Sequence, residues 1–255
     1  KLTSFVLAGV ELAFWNFLAQ GLLNIGLLSV SSARASFLTQ TSVVLTPVIS
    51  RLFGQHVQPK VWIACGVALV GLTVLSAGAA TGGGVDAAAT TGSGILSSAI
   101  HFAAGDWLVL GGAASWSMYL YRLSKIAPKF DEINLQFAKS AFLAVLYTVW
   151  LAGVTAMNSA SATLSFSFFG KPFGWLLNGY AFAVLLYSAV GPGTAADVLQ
   201  QQGQKEVSAS EANVILSLEP VFTAFCAWLV LGELISPQEA FGGAVILGAA
   251  LLATR

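Results

Sequence analysis

Between Val214 and Leu231 the chain reads VILSLEPVFTAFCAWLVL, a run long enough to cross a bilayer, with one formal charge, Glu219, placed directly before Pro220. Apolar runs of this kind recur along the chain between short polar interruptions. A hydrocarbon core ~30 Å thick needs about 20 such residues per helix, so the runs fix the solvent. Only 9% of residues are charged against 56% hydrophobic, and the mean hydropathy is +0.80; an ordinary soluble domain carries roughly 25% charged residues. Lipid offers backbone groups no partner, so the expected fold class is an all-α integral membrane bundle of many spans. A β-barrel would show alternating segments of roughly 10 residues, a pattern this sequence does not carry.

Eight candidate spans follow, at 4–29, 32–53, 60–80, 105–124, 133–155, 174–199, 209–231 and 236–254. The longest connections, Thr81 to Ala104 and Ala156 to Phe173, could not bury a core of their own, and the first, rich in Gly, Ala and Thr, reads as a flexible linker. If loops alternate sides, one side receives Lys1, Arg51, Lys60, Arg122, Lys125, Lys129, Lys205 and Arg255, and the other only Arg34 and Lys171. Positive charge marks the cytoplasmic side. Both ends are therefore expected in the cytoplasm, or in the stroma if the membrane is that of a plastid rather than the plasma membrane. Cys65 and Cys226 fall inside spans and read as small core residues, not as a disulfide or metal pair.

Residues 35–71 can be laid over 212–249. Ala35 then meets Ala212, Val44 meets Val221 and Thr46 meets Thr223; after a one-residue gap Gly54 meets Gly232, Pro59 meets Pro237, Val67 meets Val245 and Leu69 meets Leu247. Under the charge-derived topology the helix from Ser32 runs inward and that from Ser208 outward, so the repeats are inverted. Inverted repeats are a frequent construction of secondary transporters. Inversion requires an odd number of helices per repeat; the second half offers five from Gly105 to Thr254 and the first only three. Two further helices are expected upstream of Lys1, and the chain, opening without Met, reads as a fragment. The segments become a truncated first repeat over 1–80, a linker over 81–104 and a second repeat over 105–255.

The segment SASEANVILSLEPVFTAFCAWLVLGE, its counterpart SSARASFLTQTSVVLTPVISRLFG, and the helices PQEAFGGAVILGAALL and PKVWIACGVALVGLTVL that follow them resemble the EamA-type repeat of the drug/metabolite transporter superfamily. The resemblance implies a ten-helix carrier of two inverted five-helix halves, with both termini cytoplasmic, that exports or exchanges small metabolites.

Asn16, Gln20 and Asn24 recur at i, i+4 and i+8 and form one polar stripe, beside Trp15, that either lines a solute cavity or hydrogen-bonds between helices. Thr39, Ser42 and Thr46 on the second span, and Ser210, Asn213 and Ser217 on the seventh, make faces at corresponding repeat positions. Small polar side chains there serve close packing or solute binding, and Asn213 fits lining better. Trp116, Tyr119 and Arg122 form either an aromatic wall or an interfacial belt. Gly191, Pro192 and Gly193 predict a kinked or unwound turn, a hinge or a static bend. Asp197, beyond it, is expected to be solvated near a membrane end, and Glu11 to reach the interface.

A carboxylate at a helix centre costs ~2.5–3.5 kcal/mol, so Glu219 should face the interior, be paired or be protonated. It is either a coupling site or a conformational device beside a Pro220 kink, and the resemblance, in which Leu-Glu-Pro is shared across substrates, favours the second. Lys139 pairs with Glu219, meets an anionic substrate or snorkels. Ser208 and Glu211 form a capping box, and Asp131 and Glu132 play a similar helix-start role.

An enzyme is disfavoured. Asp197 lacks the preceding glycine of an intramembrane aspartyl protease, His56 and His101 lack metal-ligand spacing, and no phosphate loop is present. No cofactor or nucleic acid is expected. The expected partners are the lipid bilayer, a small-molecule solute, a coupling proton and, as an option, a second copy of the chain. With Lys139 the main cation in the spans, a neutral, zwitterionic or cationic metabolite is a better cargo than a phosphate ester or nucleotide sugar. A non-transporting structural or regulatory membrane protein is the rival class.

Overall fold

The computed structural model describes residues 2–30, 35, 38–82, 104–159, 179–231 and 237–254, which are helices joined by turns and short connections. In chain order these are α1 (Leu2–Gly26), α2 (Ser42–Leu52), α3 (Pro59–Gly82), α4 (Ala104–Ile126), a 3-10 turn (Ala127–Lys129) and α5 (Glu132–Ser159). Then come α6 (Gly179–Ser188), a π-helical turn (Ala189–Ala195), α7 (Ala196–Glu206), α8 (Ala209–Leu216), α9 (Glu219–Leu231) and α10 (Pro237–Thr254). The fold is the expected all-α membrane bundle.

Its spans are not all those expected. Among the described residues, Thr3–Gly26, Glu132–Val154, Gly179–Glu206 and Ala209–Val230 are long and apolar enough to cross a membrane, while Ser42–Leu52, Pro59–Val74 and Ala240–Ala253 are apolar but shorter. The second span falls short because its helix is interrupted at Gln40 and Thr41. The sixth runs past 199: the polar stretch Gln200 to Gln204 is helical and continues to Glu206. Most of the Gly/Ala-rich linker and the loop after Ser159 lie outside the described residues.

Sequence dictates the helix ends locally. Ser208 accepts a hydrogen bond from the Glu211 N–H at 3.3 Å while Glu211 accepts from the Ser208 N–H at 3.0 Å, the capping box read from the sequence. Asp131 accepts from the Asn134 N–H at 3.1 Å and so starts α5. α2 ends where the N–H of Gln55 bonds to the Ser50 carbonyl and that of Gly54 to Arg51. That closure needs a left-handed residue, and Gly54 supplies it at φ 78.

The chain forms two compact units, Lys1–Phe17 with Lys125–Glu206 and Leu18–Ser124 with Val207–Arg255. In the first unit α7 lies against α5, and aromatic edges close the packing: Phe5 on Phe130, and Phe17 on Tyr147 and Trp150. In the second, α3 and α10, equivalent helices of the two repeats, pack together around Val61, Ala64, Cys65, Ala68, Leu72, Ile246, Ala249 and Ala253. Cys65 is therefore core, whereas Cys226 is exposed on α9, contrary to expectation, since its face of the helix is uncovered; both are free thiols.

Lipid is as apolar as leucine, so helices associate there through close packing more than through water release. The α3–α10 contact uses this fully at Gly71. A Cβ there would stand 2.7 Å from Ile246 Cγ1 and 3.0 Å from the Gly242 carbonyl oxygen. Gly71→Ala is expected to cost roughly 1 kcal/mol by overpacking, read as a lower midpoint in detergent-to-SDS unfolding.

Candidate functional site: paired helix pinches and a polar seam

Two helices are pinched at equivalent repeat positions. The Thr41 N–H donates to Leu38 O at 3.2 Å, and Val44 and Leu45 both donate to Thr41 O at 3.0 and 2.9 Å. In the register that sets Val44 on Val221, the second repeat copies this bond for bond. Leu218 N–H donates to Ile215 O at 3.0 Å, and Val221 and Phe222 both donate to Leu218 O at 2.9 and 3.1 Å. A threonine hydroxyl closes each pinch: Thr46 Oγ1 donates to Ser42 O at 2.8 Å and Thr223 Oγ1 to Glu219 O at 2.9 Å. Three-residue hydrogen bonds inside a longer helix mark a tightened turn, a common site of bending.

This relocates Glu219 and Pro220. Neither lies at a helix centre: they are the first and second residues of α9. The missing N–H of Pro220 is one that a helix start leaves unpaired anyway, and the first repeat makes the same pinch with Val43 in the equivalent place. Proline is thus not its cause. Glu219 is exposed, with its carboxylate at the positive end of the α9 dipole, which favours a charge there.

Asn213 joins the repeats. It is 3% exposed, and its Nδ2 donates to Ser42 O at 2.7 Å and Thr46 Oγ1 at 2.8 Å, tying α8 to the first turns of α2. Ser117 on α4 adds a donor to the same carbonyl at 3.3 Å. Ser217 is buried and donates back to Val214 O at 2.5 Å. Thr39 is half-buried at the end of the helical residues before the first pinch. Tyr119 is fully buried and stacks on half-buried Trp116, ring centroids 5.1 Å apart. Along α1, Asn16 is half-buried in the first unit's part of the helix; Gln20, half-buried, and Asn24, exposed, lie in the second's.

In the first unit Gly191, Pro192 and Gly193 fall within the π-helical turn, so the predicted break is a widened turn, not an unwound one. Widening relieves the clash between the Pro192 ring and the preceding turn. Thr194 Oγ1 donates to Ala189 O at 2.8 Å, and the Ala196 N–H to Gly191 O. Directly after it, Asp197 is not a solvated end group. Its Oδ2 lies 2.8 Å from Lys139 Nζ and accepts from Gln136 Nε2 at 3.0 Å. Lys139, 1% exposed, is therefore neither a snorkelling lysine nor one read correctly as a partner for Glu219. The sequence signal for this seam was present: Asp197, Gln201 and Lys205 recur every fourth residue along α7, and Glu132, Gln136 and Lys139 fall at i, i+4 and i+7 along α5.

The architecture is that of a multi-pass membrane protein with an internal repeat of pinched helices. Residues 103–255 match the model of the EamA-like transporter family, and the chain belongs to that family, within the drug/metabolite transporters. It is similar to an uncharacterized transporter of Archaeoglobus fulgidus, 27% identical over 244 residues covering 96% of this chain and 67% of that one. It is likewise 27% identical over 257 residues to the uncharacterized transporter YdfC of Bacillus subtilis, covering 96% of this chain and 68% of the relative. A solved crystal structure shares the fold at a TM-score of 0.63 and 15% identity, covering 98% of this chain and 86% of the other. The protein is an integral membrane transporter.

Proposed function

We propose that the protein carries a small neutral, zwitterionic or cationic organic solute across the membrane by alternating access, without catalysis. The observation that carries this reading is the pair of matching pinches, at Gln40–Thr41 and Ser217–Leu218, clasped by Asn213. Helices interrupted at corresponding positions of two repeats are where transporters place solute sites and motion. The domain reading is kept with it: 1–80 and 105–255 act as repeats, both termini are cytoplasmic or stromal, and the lipid bilayer, the solute and a coupling proton are the partners.

Within this reading Glu219 is a helix-start charge and not the coupling site. Proteoliposomes holding the full chain would be given a mixed metabolite pool with and without a proton gradient, using native protein and Glu219→Gln. Both are expected to accumulate the same solute with the same gradient dependence, the variant losing about 0.3–1 kcal/mol of stability with the dipole interaction. Loss of gradient dependence alone in Glu219→Gln would make that carboxylate the coupling site. A folded native protein that moves nothing would favour a structural membrane protein.

A further inference from the structure

Three polar pairs run along the seam between α5 and α7. Lys205 Nζ stands 2.8 Å from Glu132 Oε2, Gln201 Nε2 donates to Gln136 Oε1 at 2.6 Å, and Lys139 meets Asp197 at 2.8 Å. More polarity is buried there than the pairs consume. Gln204 is 2% exposed with both amide atoms unpartnered, and Gln201, fully buried, leaves its Oε1 unpartnered. Buried amides of this kind hold ordered water. Gln204 and Gln201 lie on successive turns of α7 between Lys205 and Asp197.

We propose that this seam is a proton-binding site: water seated on the Gln204 and Gln201 amides delivers a proton from the Lys205–Glu132 end to Asp197, with Lys139 as its switchable counter-ion. In that step one O–H bond forms on an Asp197 carboxylate oxygen, the water chain gives up the proton it took from the bulk, and the carboxylate charge is neutralised. Lys139 keeps its ammonium proton but is held by less negative charge. A cation so buried is costly without a full counter-charge, so protonation favours a rearranged seam. Gln136 connects that rearrangement to the hinge, because its Nε2 contacts both Asp197 and, at 3.5 Å, the Gly193 carbonyl oxygen in the π turn. The other charged groups on α7 and the elements packed against it are Glu132 on α5, Lys205 and Glu206 on α7, and Lys129 on the 3-10 turn. The π turn carries none, and the part of α1 that packs on α5 through Gly9 and Ala138 carries Glu11.

As a coupling device the seam rests on the carrier reading; as a proton site it does not. The full chain in lipid nanodiscs would be titrated by infrared spectroscopy. A carboxylic-acid carbonyl band is expected to grow as pH falls and to be missing in Asp197→Asn. Gln204→Leu should keep the band but slow its hydrogen–deuterium exchange about tenfold, the effect of one ordinary hydrogen bond on a rate. If Asp197→Asn does not fold, Asp197→Glu should shift the band instead. An unchanged band in these Asp197 variants, or native exchange in Gln204→Leu, overturns the proposal. In proteoliposomes Asp197→Asn should lose gradient-driven uptake of the metabolite pool; native uptake that ignores the gradient overturns the coupling role. Absence of counterflow in the native protein would refute the carrier reading, while the infrared result still decides the proton site.

Discussion

Asp197→Ala is expected to lower stability by about 3–5 kcal/mol, the largest single effect in the molecule, because it strips a deeply buried cation of its carboxylate. The asymmetry of the pair sharpens the expectation. The Lys139 side chain is 1% exposed and that of Asp197 27%. Lys139→Met should therefore cost less, since the charge it leaves behind is the more accessible of the two. Replacing both, as Lys139→Met with Asp197→Leu, should recover most of the loss, because an apolar pair of similar volume avoids desolvating either charge. Detergent-to-SDS unfolding of native protein, Lys139→Met, Asp197→Leu and the double variant forms a double-mutant cycle. A single Asp197→Ala variant as stable as native protein would mean the ion pair is not formed in lipid.

Asn213→Leu is expected to cost about 2 kcal/mol, with most of its effect on stability. The substitution removes two buried donor contacts at once, to Ser42 O and Thr46 Oγ1, near the upper range for hydrogen bonds between membrane helices. Ser42 O keeps Thr46 and Ser117 as donors, so the carbonyl itself is not orphaned and the loss stays below that of the ion pair. Asn213→Asp should be worse, for it sets a carboxylate oxygen against a carbonyl oxygen. If Asn213 instead lines a solute path, Asn213→Leu will lower solute binding while the unfolding midpoint stays near native, and the two readouts together separate these roles.

The membrane class and most helices were legible because they rest on long-range composition and on residue types with fixed habits, such as Ser208 with Glu211 at a helix start and Gly54 before Pro59 at a turn. The pinches were not. Gln40 and Thr41 carry neither proline nor glycine, and in the second repeat Pro220 drew attention to the residue after the pinch instead of to Ser217 and Leu218. The tightened turn is selected by packing between repeats, including the Asn213 amide on Ser42, which no local pattern encodes. The Lys139–Asp197 pair was missed for a related reason: its partners are far apart in sequence, and Asp197 beside a glutamine run looked like a solvated end. Periodicity along α7 carried the information, since a polar residue every fourth position on a membrane helix demands an equally polar neighbour.

The most direct test of a carrier that moves at its paired pinches is accessibility from each face. In a Cys65→Ala, Cys226→Ala background, single Thr41→Cys and Leu218→Cys variants in proteoliposomes would be labelled with a membrane-impermeant thiol reagent from inside and outside, with and without the metabolite pool. Each position should react from both faces, and the solute should shift the ratio at both together. Reaction from one face only at each position, unchanged by solute while transport proceeds, would contradict the account.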